Sequence, residues 1–526
     1  MVVNQATVIR GRVLGLGITR AFVLLGLDAH SVRVEVTTTR GPAFFQMVGL
    51  AEATVRESRV RVASALANFG VLLDEYAVTV NLAPGDLRKS GASIDLAIAV
   101  ATLAALGRAN GHRCSELQLC GELSLDGALL PVRGLLPLLE GAKRHGMCQA
   151  VVPECNAAEA GLVRGMRVFI ARNLAEVLAH INDEHVLPVA PQTSITAECS
   201  EAEADLSEVR GQPGARRALE IAAAGHHNLL LVGPPGGGKT LLARRLPSIM
   251  PRLTYAETIE VTAIHSVAGL IDSRTGVVTR RPFRAPHHSV SDAALVGGGD
   301  VPRPGEISLA HQGVLFLDEL AEFRRSALEA LRQPLEDGKV CIARTRARCW
   351  FPARPLVVGA VNGCPCGYYG HPTRACYCTE HKRIRYAQRL SGPLLDRFDI
   401  HCAVPPVDMD VLSRCGSTET SDQVARRVQA ARALQHQRHR SVLGHTRNNG
   451  ELTLVELERT SPLEQESRRL LQSAGRQLGL SARAYVRIMR VARTIADLAG
   501  TSSISPEHVA EAVQGRLLDR QQLVAH

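Results

Sequence analysis

Residues 228–245 read NLLLVGPPGGGKTLLARR, and this stretch decides the fold. An apolar run stops at a glycine-rich turn, and a Lys-Thr pair then opens a helical pattern. The spacing is that of a phosphate-binding loop: Gly233, four residues, then Gly238, Lys239 and Thr240. Turns without side chains let successive backbone N–H groups point at one anion, and the following helix N-terminus adds partial positive charge. The stretch therefore predicts a nucleoside triphosphate site.

Two side chains of this loop have assigned chemistry. Lys239 can reach the β- and γ-phosphates, and the Thr240 hydroxyl can ligate Mg²⁺. The predicted nucleotide-contacting set is Gly233, Pro234, Pro235, Gly236, Gly237, Gly238, Lys239 and Thr240. A glycine-rich strand-to-helix turn without a ligand is the alternative, and the agreement of spacing with context disfavours it. We expect ATP and Mg²⁺ as cofactors.

The composition bounds the class of protein. A chain of 526 residues is too long for one core. Its 45% apolar and 21% charged residues are ordinary for a globular protein. A net charge of +10 favours a polyanionic partner such as nucleic acid, although surplus charge also fits solubility alone.

The amino terminus and the cysteines indicate a compartment. MVVNQATVIRGRVLGLG lacks the pattern of a signal peptide, and the chain has no apolar run long enough to cross a membrane. Thirteen cysteines, an odd number, favour reduced thiols. We expect a cytoplasmic protein without a membrane partner.

Periodicity divides the chain into four segments. Residues 1–182 alternate strands such as HSVRVEVTTTR with helices such as SIDLAIAVATLAALG, which predicts an α/β domain. Residues 183–207 are acidic and aperiodic, as in a linker. Residues 208–404 alternate strand and helix around the phosphate-binding loop, which implies a mainly parallel sheet, and 405–526 are almost all helical, as in a lid.

Polar residues end two further apolar strands. GVLFLDEL at 313–320 places Asp318 where it can hold the Mg²⁺ shell and Glu319 where it can polarise the attacking water. PLVVGAVNG at 355–363 ends in Asn362, whose amide could orient the same water or merely cap the strand.

Two arginines could complete an ATPase site. In LSGPLLDRFDIH, Arg397 lies between Asp396 and Asp399 and could simply pair with either. An ATPase that works as a ring, however, needs a cation offered to the γ-phosphate across the subunit boundary. LSARAYVRIMR places Arg483 at the start of a lid helix.

In this order, the phosphate-binding loop, LFLDE, the strand-end Asn, LLDRFD and SAR resemble the AAA+ ATPases, in the branch of the magnesium-chelatase ATPase subunit and the MCM helicases. The stretches VGLAEATVRESRVRV and 281–319 resemble the ComM/YifB family of magnesium-chelatase-like proteins. The similarity spans roughly residues 5–515. It implies a P-loop AAA+ core with a helical lid, behind an α/β Lon-protease-like domain of the ribosomal S5 domain 2 type.

The resemblance also implies roles for single residues. Lys239, Thr240 and Asp318 become nucleotide and Mg²⁺ contacts, and Glu319 becomes the catalytic base. Asn362 becomes the water sensor, Arg397 the arginine finger and Arg483 the second sensor arginine. Gly363 stands where the family usually has proline, which loosens the turn after Asn362.

Two basic stretches are candidates for contact with DNA. The first, 339–354, contains Lys339, Arg344, Arg346, Arg348 and Arg354 without an acid, and its alternation fits a β-hairpin, which is either a phosphate grip or a solvated hairpin. In the resembling helicases such a hairpin enters the pore of the ring. The second stretch, 425–440, reads as a plainly exposed helix face.

The segment RAPHHSVSDAALVGGG is polar and glycine-rich, and the resemblance makes it an insert in the second helix of the core. Its adjacent His287 and His288 would point apart in a strand or helix, which disfavours a shared metal.

Four cysteines cluster in CPCGYYGHPTRACYC, and two C-x-C pairs could close around Zn²⁺. The set is Cys364, Cys366, Cys376 and Cys378, with His371 or His381 as substitute ligands. Structural zinc sites usually use C-x₂-C, and reduced cysteines on a loop are the alternative.

The first domain resembles the Lon-type protease domain through LRKSGASIDLAIAV and GELSLDGALLPVRGLLPLL. Ser93 falls near the position of the nucleophilic serine, but the position of the activating lysine is Leu136. A serine hydroxyl without a base is a poor nucleophile, so we expect proteolysis to be lost.

Three functions remain to be weighed. The ComM resemblance implies a hexameric ATP-driven DNA motor that performs branch migration in natural transformation, acting on branched or single-stranded DNA with recombination proteins as further partners. The second is a chelatase-type ATPase that remodels a partner protein during metal insertion. The third is an ATP-dependent protease, which Leu136 disfavours.

Overall fold

The computed structural model describes most of the chain. The described residues are 13–50, 52–89, 91–195, 205–272, 274–299, 301–344, 347–371, 373–407 and 418–516. Among them, no helix is both long and apolar enough to cross a lipid bilayer.

The amino-terminal α/β domain is built on a seven-stranded mixed sheet. Its strands are β1 (Val13–Leu25), β2 (Asp28–Arg40), β3 (Phe44–Val48), β4 (Tyr76–Ala83), β5 (Leu117–Leu119), β6 (Glu122–Leu123), β7 (Leu129–Leu130), β8 (Gln149–Pro153) and β9 (Arg167–Ala171). Its helices are α1 (Ala53–Asn68), α2 (Asp95–Ala105), α3 (Gly111–Glu116), α4 (Leu135–Arg144), α5 (Ala157–Ala160) and α6 (Leu174–Ile181). The sheet order is β3-β4-β2-β1-β5-β8-β9, and β6 pairs with β7 separately.

Helix α2 forms the centre of this domain. Its sequence DLAIAVATLAA is apolar on every side, and nearly all its residues are buried. A methyl group on Gly17 would lie 1.9 Å from the carbonyl oxygen of Ala101, so only glycine lets the helix rest directly on β1. Local composition thus sets how closely helix and sheet pack.

The ATPase core has a five-stranded parallel sheet, as the alternating pattern predicts. The strands of this part are β10 (Leu229–Val232), β11 (Phe283–Arg284), β12 (Gly297–Gly298), β13 (Arg303–Pro304), β14 (Val314–Leu317), β15 (Lys339–Arg344), β16 (Ala347–Pro352), β17 (Leu356–Val361) and β18 (Ile400–Ala403). The helices are α7 (Pro213–Gly225), α8 (Lys239–Ile249), α9 (Tyr255–Ala268), α10 (Asp292–Val296), α11 (Glu306–Leu309), α12 (Arg325–Ala330), α13 (Arg332–Asp337), α14 (Glu380–Ala387) and α15 (Gly392–Leu395). The order of the parallel sheet is β11-β14-β17-β10-β18, while β12 pairs with β13 and β15 with β16.

The described carboxy-terminal residues are helical, which confirms the predicted lid. The helices are α16 (Ser421–Leu443), α17 (Leu454–Thr460), α18 (Gln465–Leu478), α19 (Ala482–Leu498) and α20 (Pro506–Gln514). They share one apolar cluster with α7, α8 and β10. The lid is therefore packed on the ATPase core.

The prediction of a plainly exposed face at 425–440 is wrong for part of α16. Arg432 is buried and donates to the carbonyl oxygen of Ala223 at 2.9 Å. Arg438 pairs with the buried Asp497 at 2.7 Å. These side chains tie α16 to its neighbours, whereas Arg426 and Arg440 are exposed.

The described residues of the segment 183–207 pack against the domains on either side. Leu187 is buried in the first domain, and the N–H of Thr193 donates to the carbonyl of Gly161 at 3.1 Å. At the other end, Leu206 is buried in the ATPase core. Residues 196–204 lie outside the described part of the chain.

Buried and partly buried hydrogen bonds join the first domain to α9 of the ATPase core. The N–H of Gly134 donates to the Ser266 hydroxyl at 3.0 Å, and the Tyr255 hydroxyl donates to the carbonyl of Leu162 at 2.8 Å. Glu159 accepts from both the Ser266 hydroxyl and the N–H of Leu136, and burial raises its pKa. The domain contact is thus polar as well as apolar.

Candidate functional site

Parallel strands bring the predicted ATPase residues together at one edge of the sheet. The phosphate-binding loop follows β10, Asp318 and Glu319 follow β14, and Asn362 follows β17. These strands are neighbours in the order β14-β17-β10. Because the carboxyl ends of parallel strands meet at the same edge, residues far apart in sequence converge there.

Lys239 is held inside the loop. Its Nζ donates to the carbonyl oxygens of Gly233 and Pro234 at 2.6 and 2.9 Å, and to Asn362 Oδ1 at 3.1 Å. Burial lowers the pKa of Lys239, while the charges of Asp318 and Glu319 oppose that shift. The contact places Asn362 beside the lysine even though Gly363 follows it.

Thr240 and Asp318 offer the ligands that Mg²⁺ prefers. The Thr240 hydroxyl donates to Asp318 Oδ2 at 2.9 Å, and Asp318 Oδ1 accepts from the N–H of Glu319 at 3.0 Å. A hydroxyl and a carboxylate side by side fit a cation that keeps its remaining positions for water and phosphate oxygens. The donor set therefore fits Mg²⁺ with ATP.

The loop's geometry depends on glycine at two kinds of position. Gly236 and Gly238 both have φ of +83°, a conformation that favours glycine. Gly233 instead lies against Val404, the residue after β18, and a Cβ on Gly233 would be 2.0 Å from the carbonyl oxygen of Val404. The remaining members of the predicted set, Pro234, Pro235 and Gly237, complete the turn.

Glu319 is held by a residue that the sequence did not link to it. Its backbone has φ of 51°, in the left-handed region, and its carboxylate lies 3.3 Å from Nδ1 of His288. The prediction that His287 and His288 point apart is wrong, because they lie in a loop and their ring centroids are 4.0 Å apart. The polar insert thus reaches the predicted catalytic base.

Gln212, at the start of α7, is a second residue that sequence reasoning missed. Its side-chain amide donates to the carbonyl oxygens of Gly237 and Pro405 at 3.2 and 2.6 Å. It also lines a groove of about 330 Å³ with Gly211 and Arg217. This buried amide joins the phosphate-binding loop to the groove. The GQPG turn before α7 was the available signal.

Arg397 lies at the opposite edge of the sheet. Its carbonyl oxygen accepts from the side chain of Asn228, which precedes β10, at 2.9 Å. The phosphate-binding loop follows the same strand at its other end. The Arg397 guanidinium pairs with Glu336 rather than with Asp396 or Asp399, and its buried Nε has no partner among the described residues.

Arg483 shares a cation-rich cleft with Arg397. The cleft has a volume of about 820 Å³ and lies between the core and the lid. Its arginines are Arg354, Arg397, Arg447, Arg483, Arg487 and Arg490. Burial, opposed by the charge of Asp399 and assisted by neighbouring arginines, lowers the pKa of Arg487 to about 10. The crowding of positive charge suits an anion from outside the chain.

The predicted hairpin is β15 and β16, and its two faces differ. Val340, Ile342 and Phe351 are buried on one face. On the other, Lys339 lies 4.3 Å from the ring centroid of Trp350, and Arg348 is exposed. The side chain of Arg344 and all of Arg346 lie outside the described residues.

The four predicted cysteines converge. The Sγ atoms of Cys364, Cys366, Cys376 and Cys378 all lie within 4.8 Å of one another. His371 is not part of this group, since its Nδ1 accepts from the N–H groups of Thr373 and Arg374. His381 is likewise outside the group found among the described residues.

The two Lon-like positions lie in different settings. Leu136 is fully buried in the apolar cluster around α4. Ser93 precedes α2, and its carbonyl oxygen accepts from the N–H of Gly121 at 2.9 Å. Leu136 supplies no base to a serine.

A parallel P-loop sheet with an acid pair and an Asn at its carboxyl edge, followed by a helical lid, defines an AAA+ ATPase.

Comparison with known proteins agrees with this class. Three family models match this chain. The model described as magnesium chelatase, subunit ChlI, matches residues 205–412, that of subunit ChlI of Mg-chelatase matches 34–156, and that of the ChlI C-terminal region matches 418–516. The protein YifB of Salmonella typhimurium is 43% identical over 511 residues, which cover 96% of this chain and 98% of YifB. Competence protein ComM of Haemophilus influenzae is 42% identical over 516 residues, with the same two coverages.

The chain belongs to the ComM/YifB family of magnesium-chelatase-like AAA+ ATPases. Lon protease 1 of Bacillus subtilis shows a partial likeness, at 28% identity over 173 residues, which is 30% of this chain and 22% of the protease.

Proposed function

We propose that this protein is a ring-forming motor that uses ATP to move DNA, and that its task is branch migration of incoming strands in natural transformation. The observation that carries the proposal is the separation of Arg397 from the phosphate-binding loop. The two lie at opposite edges of one sheet, so Arg397 serves a nucleotide bound by a neighbouring copy.

The chemistry at the carboxyl edge is hydrolysis of a phosphoanhydride. Lys239, Thr240 and Asp318 hold the phosphates and Mg²⁺, Glu319 accepts a proton from water, and Asn362 orients that water. The neighbour's Arg397 and Arg483 then neutralise the charge that develops on the γ-phosphate. A site divided in this way lies at a head-to-tail interface between copies, which forms a ring when the rotation between copies closes. The family resemblance implies a ring of six subunits.

The hairpin of β15 and β16 is the element that binds DNA. Lys339, Arg348 and Trp350 form an exposed face with two positive charges and one aromatic ring. Arginine and lysine contact phosphates without reading sequence, and an aromatic ring stacks on any base. This chemistry suits a motor that must pass over every sequence.

Work on DNA also fits the family. The relative from Haemophilus influenzae is named a competence protein, which agrees with a role for this chain in natural transformation. The names of the matching family models favour a second candidate, a chelatase-type ATPase that remodels a protein during metal insertion. The two differ in whether DNA changes the turnover of ATP.

The deciding experiment measures ATP turnover of the purified protein with and without forked or four-way DNA. We expect DNA to stimulate turnover and branched substrates to be resolved, with Lys239→Ala inactive in both assays. Unchanged turnover together with unresolved substrate would leave the chelatase-type candidate.

DNA binding by the hairpin can be tested separately because Trp350 is the single tryptophan of the chain. Its fluorescence should be quenched when DNA binds. Arg348→Ala should weaken binding and flatten the salt dependence by a slope of about 1, as expected for one lost phosphate contact. The matched control is Arg426→Ala, an exposed arginine on α16 that should leave both quantities unchanged.

A further inference from the structure

The loop between β17 and α14 lacks regular secondary structure among its described residues. Its described residues include the exposed Tyr377 and the glycines Gly367 and Gly370, so a large apolar core is not what holds it. Long loops without an apolar core need another source of order. The four cysteines are the group that links its two ends.

The sulfur geometry fits one tetrahedral metal ion. Cys364 Sγ lies 3.2 Å from Cys366 Sγ and 3.6 Å from Cys376 Sγ, and the latter two are 3.6 Å apart. Zn–S bonds of about 2.3 Å place the sulfurs of a tetrahedral four-thiolate site about 3.8 Å apart. All four cysteines are free rather than disulfide-bonded.

Neighbouring backbone groups complete the site. The N–H of Tyr369 donates to Cys364 Sγ at 3.3 Å, and the N–H of Cys378 donates to Cys376 Sγ at 3.4 Å. Hydrogen bonds to ligand sulfurs are typical of metal thiolates, because they orient the ligands and spread the negative charge. Four thiolates without a carboxylate or imidazole select Zn²⁺ rather than Mg²⁺.

The cluster also touches the nucleotide site. Cys364 is fully buried two residues after Asn362, whose Oδ1 accepts from Lys239. Gly367 then turns the loop against the phosphate-binding loop, where a Cβ on Gly367 would lie 2.9 Å from Pro235 Cδ. A group that fixes the position of Cys364 therefore also fixes Asn362 and the part of the loop that packs against Pro235.

We propose that Cys364, Cys366, Cys376 and Cys378 bind one Zn²⁺ ion, and that this ion braces the wall of the nucleotide site formed by Asn362 and Gly367. Loss of the metal frees the loop, so it weakens nucleotide binding although no cysteine contacts the nucleotide. Bound nucleotide in turn slows loss of the metal, since linkage between two sites is reciprocal. The zinc proposal is independent of the process that ATP hydrolysis drives.

The first test is metal content of the full-length, untagged protein. We expect one zinc per chain by elemental analysis, and the bands of a tetrahedral thiolate complex after substitution with Co²⁺. The Cys366→Ser, Cys378→Ser double variant should lose the metal, while Cys148→Ser, at an exposed cysteine in the first domain, should keep it. Protein that binds no metal, or iron instead of zinc, overturns the assignment.

The second test measures how much zinc contributes to nucleotide affinity. It uses wild-type protein, so that misfolding of a variant cannot affect the result. Zinc is removed with a thiol reagent and a chelator, and the thiols are then restored. We expect a fluorescent ADP analogue to bind about fivefold more weakly, as for loss of one hydrogen bond, and to recover when zinc is added back.

Trypsin should cut after the exposed Arg374 faster in the zinc-free protein. ADP should slow release of the metal in the intact protein. Unchanged nucleotide affinity and unchanged cleavage after complete removal of zinc would refute the bracing, even if the metal is present.

Discussion

Replacement of Arg397 tests whether each ATP site is divided between two copies of the chain. Strand β10 separates Asn228, which contacts Arg397, from the phosphate-binding loop. Five residues at about 3.3 Å each place Gly233 some 16 Å from that contact, with Lys239 and Thr240 on the far side. The guanidinium pairs instead with Glu336 at its own edge of the sheet. We therefore expect Arg397 to act on a nucleotide bound by a neighbouring copy and not on that of its own chain.

Arg397→Ala should lower kcat by about 10³-fold or more, the effect of removing an arginine finger, and should leave binding of nucleotide nearly unchanged. The decisive assay mixes this variant in equal amounts with Lys239→Ala and lets the rings reassemble. A site is then complete where an intact loop from one variant meets an intact Arg397 from the other. For random assembly with a head-to-tail interface, about a quarter of the sites are complete.

The readout is the amplitude of the first turnover, since it counts competent sites even if later turnovers are coordinated around the ring. The control mixes Lys239→Ala with Glu319→Gln, which damage the same side of the interface, and it should recover nothing. The reasoning fails if neither mixture recovers activity, or if both do.

Three further changes probe residues that the structure singles out. His288→Ala should raise turnover without DNA about two- to fivefold, because it releases the carboxylate of Glu319 from its contact with the His288 imidazole. A fall in turnover would contradict this, and His287→Ala is the control in the same ATPase assay. Gly233→Ala should lower Tm by on the order of 5 °C and abolish nucleotide binding, since its methyl group would lie 2.0 Å from the carbonyl oxygen of Val404. His401 is buried, and burial lowers its pKa to about 3, so its contribution to stability is present above the unfolded pKa of about 6.5 and is lost as the pH falls towards 3. Between pH 7 and 5 this loss is on the order of 2 kcal/mol, and in His401→Gln the change in Tm over that range should be correspondingly smaller than in the wild type.

Much of the ATPase core could be predicted from the sequence because its signals are local. The phosphate-binding loop, the acids after β14 and Asn362 after β17 each follow a short apolar strand. Parallel strands place their carboxyl ends together, so a prediction of strand direction already brings these residues to one edge. The cysteine cluster was predictable for a similar reason, since its four cysteines lie within one short loop.

Contacts between distant segments were not predictable in this way. The link from His288 to Glu319, the bond from Gln212 to Gly237, and the burial of Arg432 under Ala223 each join residues on different elements. Periodicity shows that a helix has an apolar face, but it does not show which polar side chain meets a partner across an interface. The prediction of an exposed face at 425–440 was partly wrong for this reason.

The amino-acid sequence by itself determined the nucleotide chemistry, because short runs of glycine, lysine and acid have few other uses at those spacings. The tertiary structure alone decided where the two predicted arginines lie. Arg397 and Arg483 lie far apart in the chain, and only the packing of the lid against the amino-terminal edge of the sheet brings them into one cleft. A strand has two ends, and no local pattern states which end a distant side chain will reach.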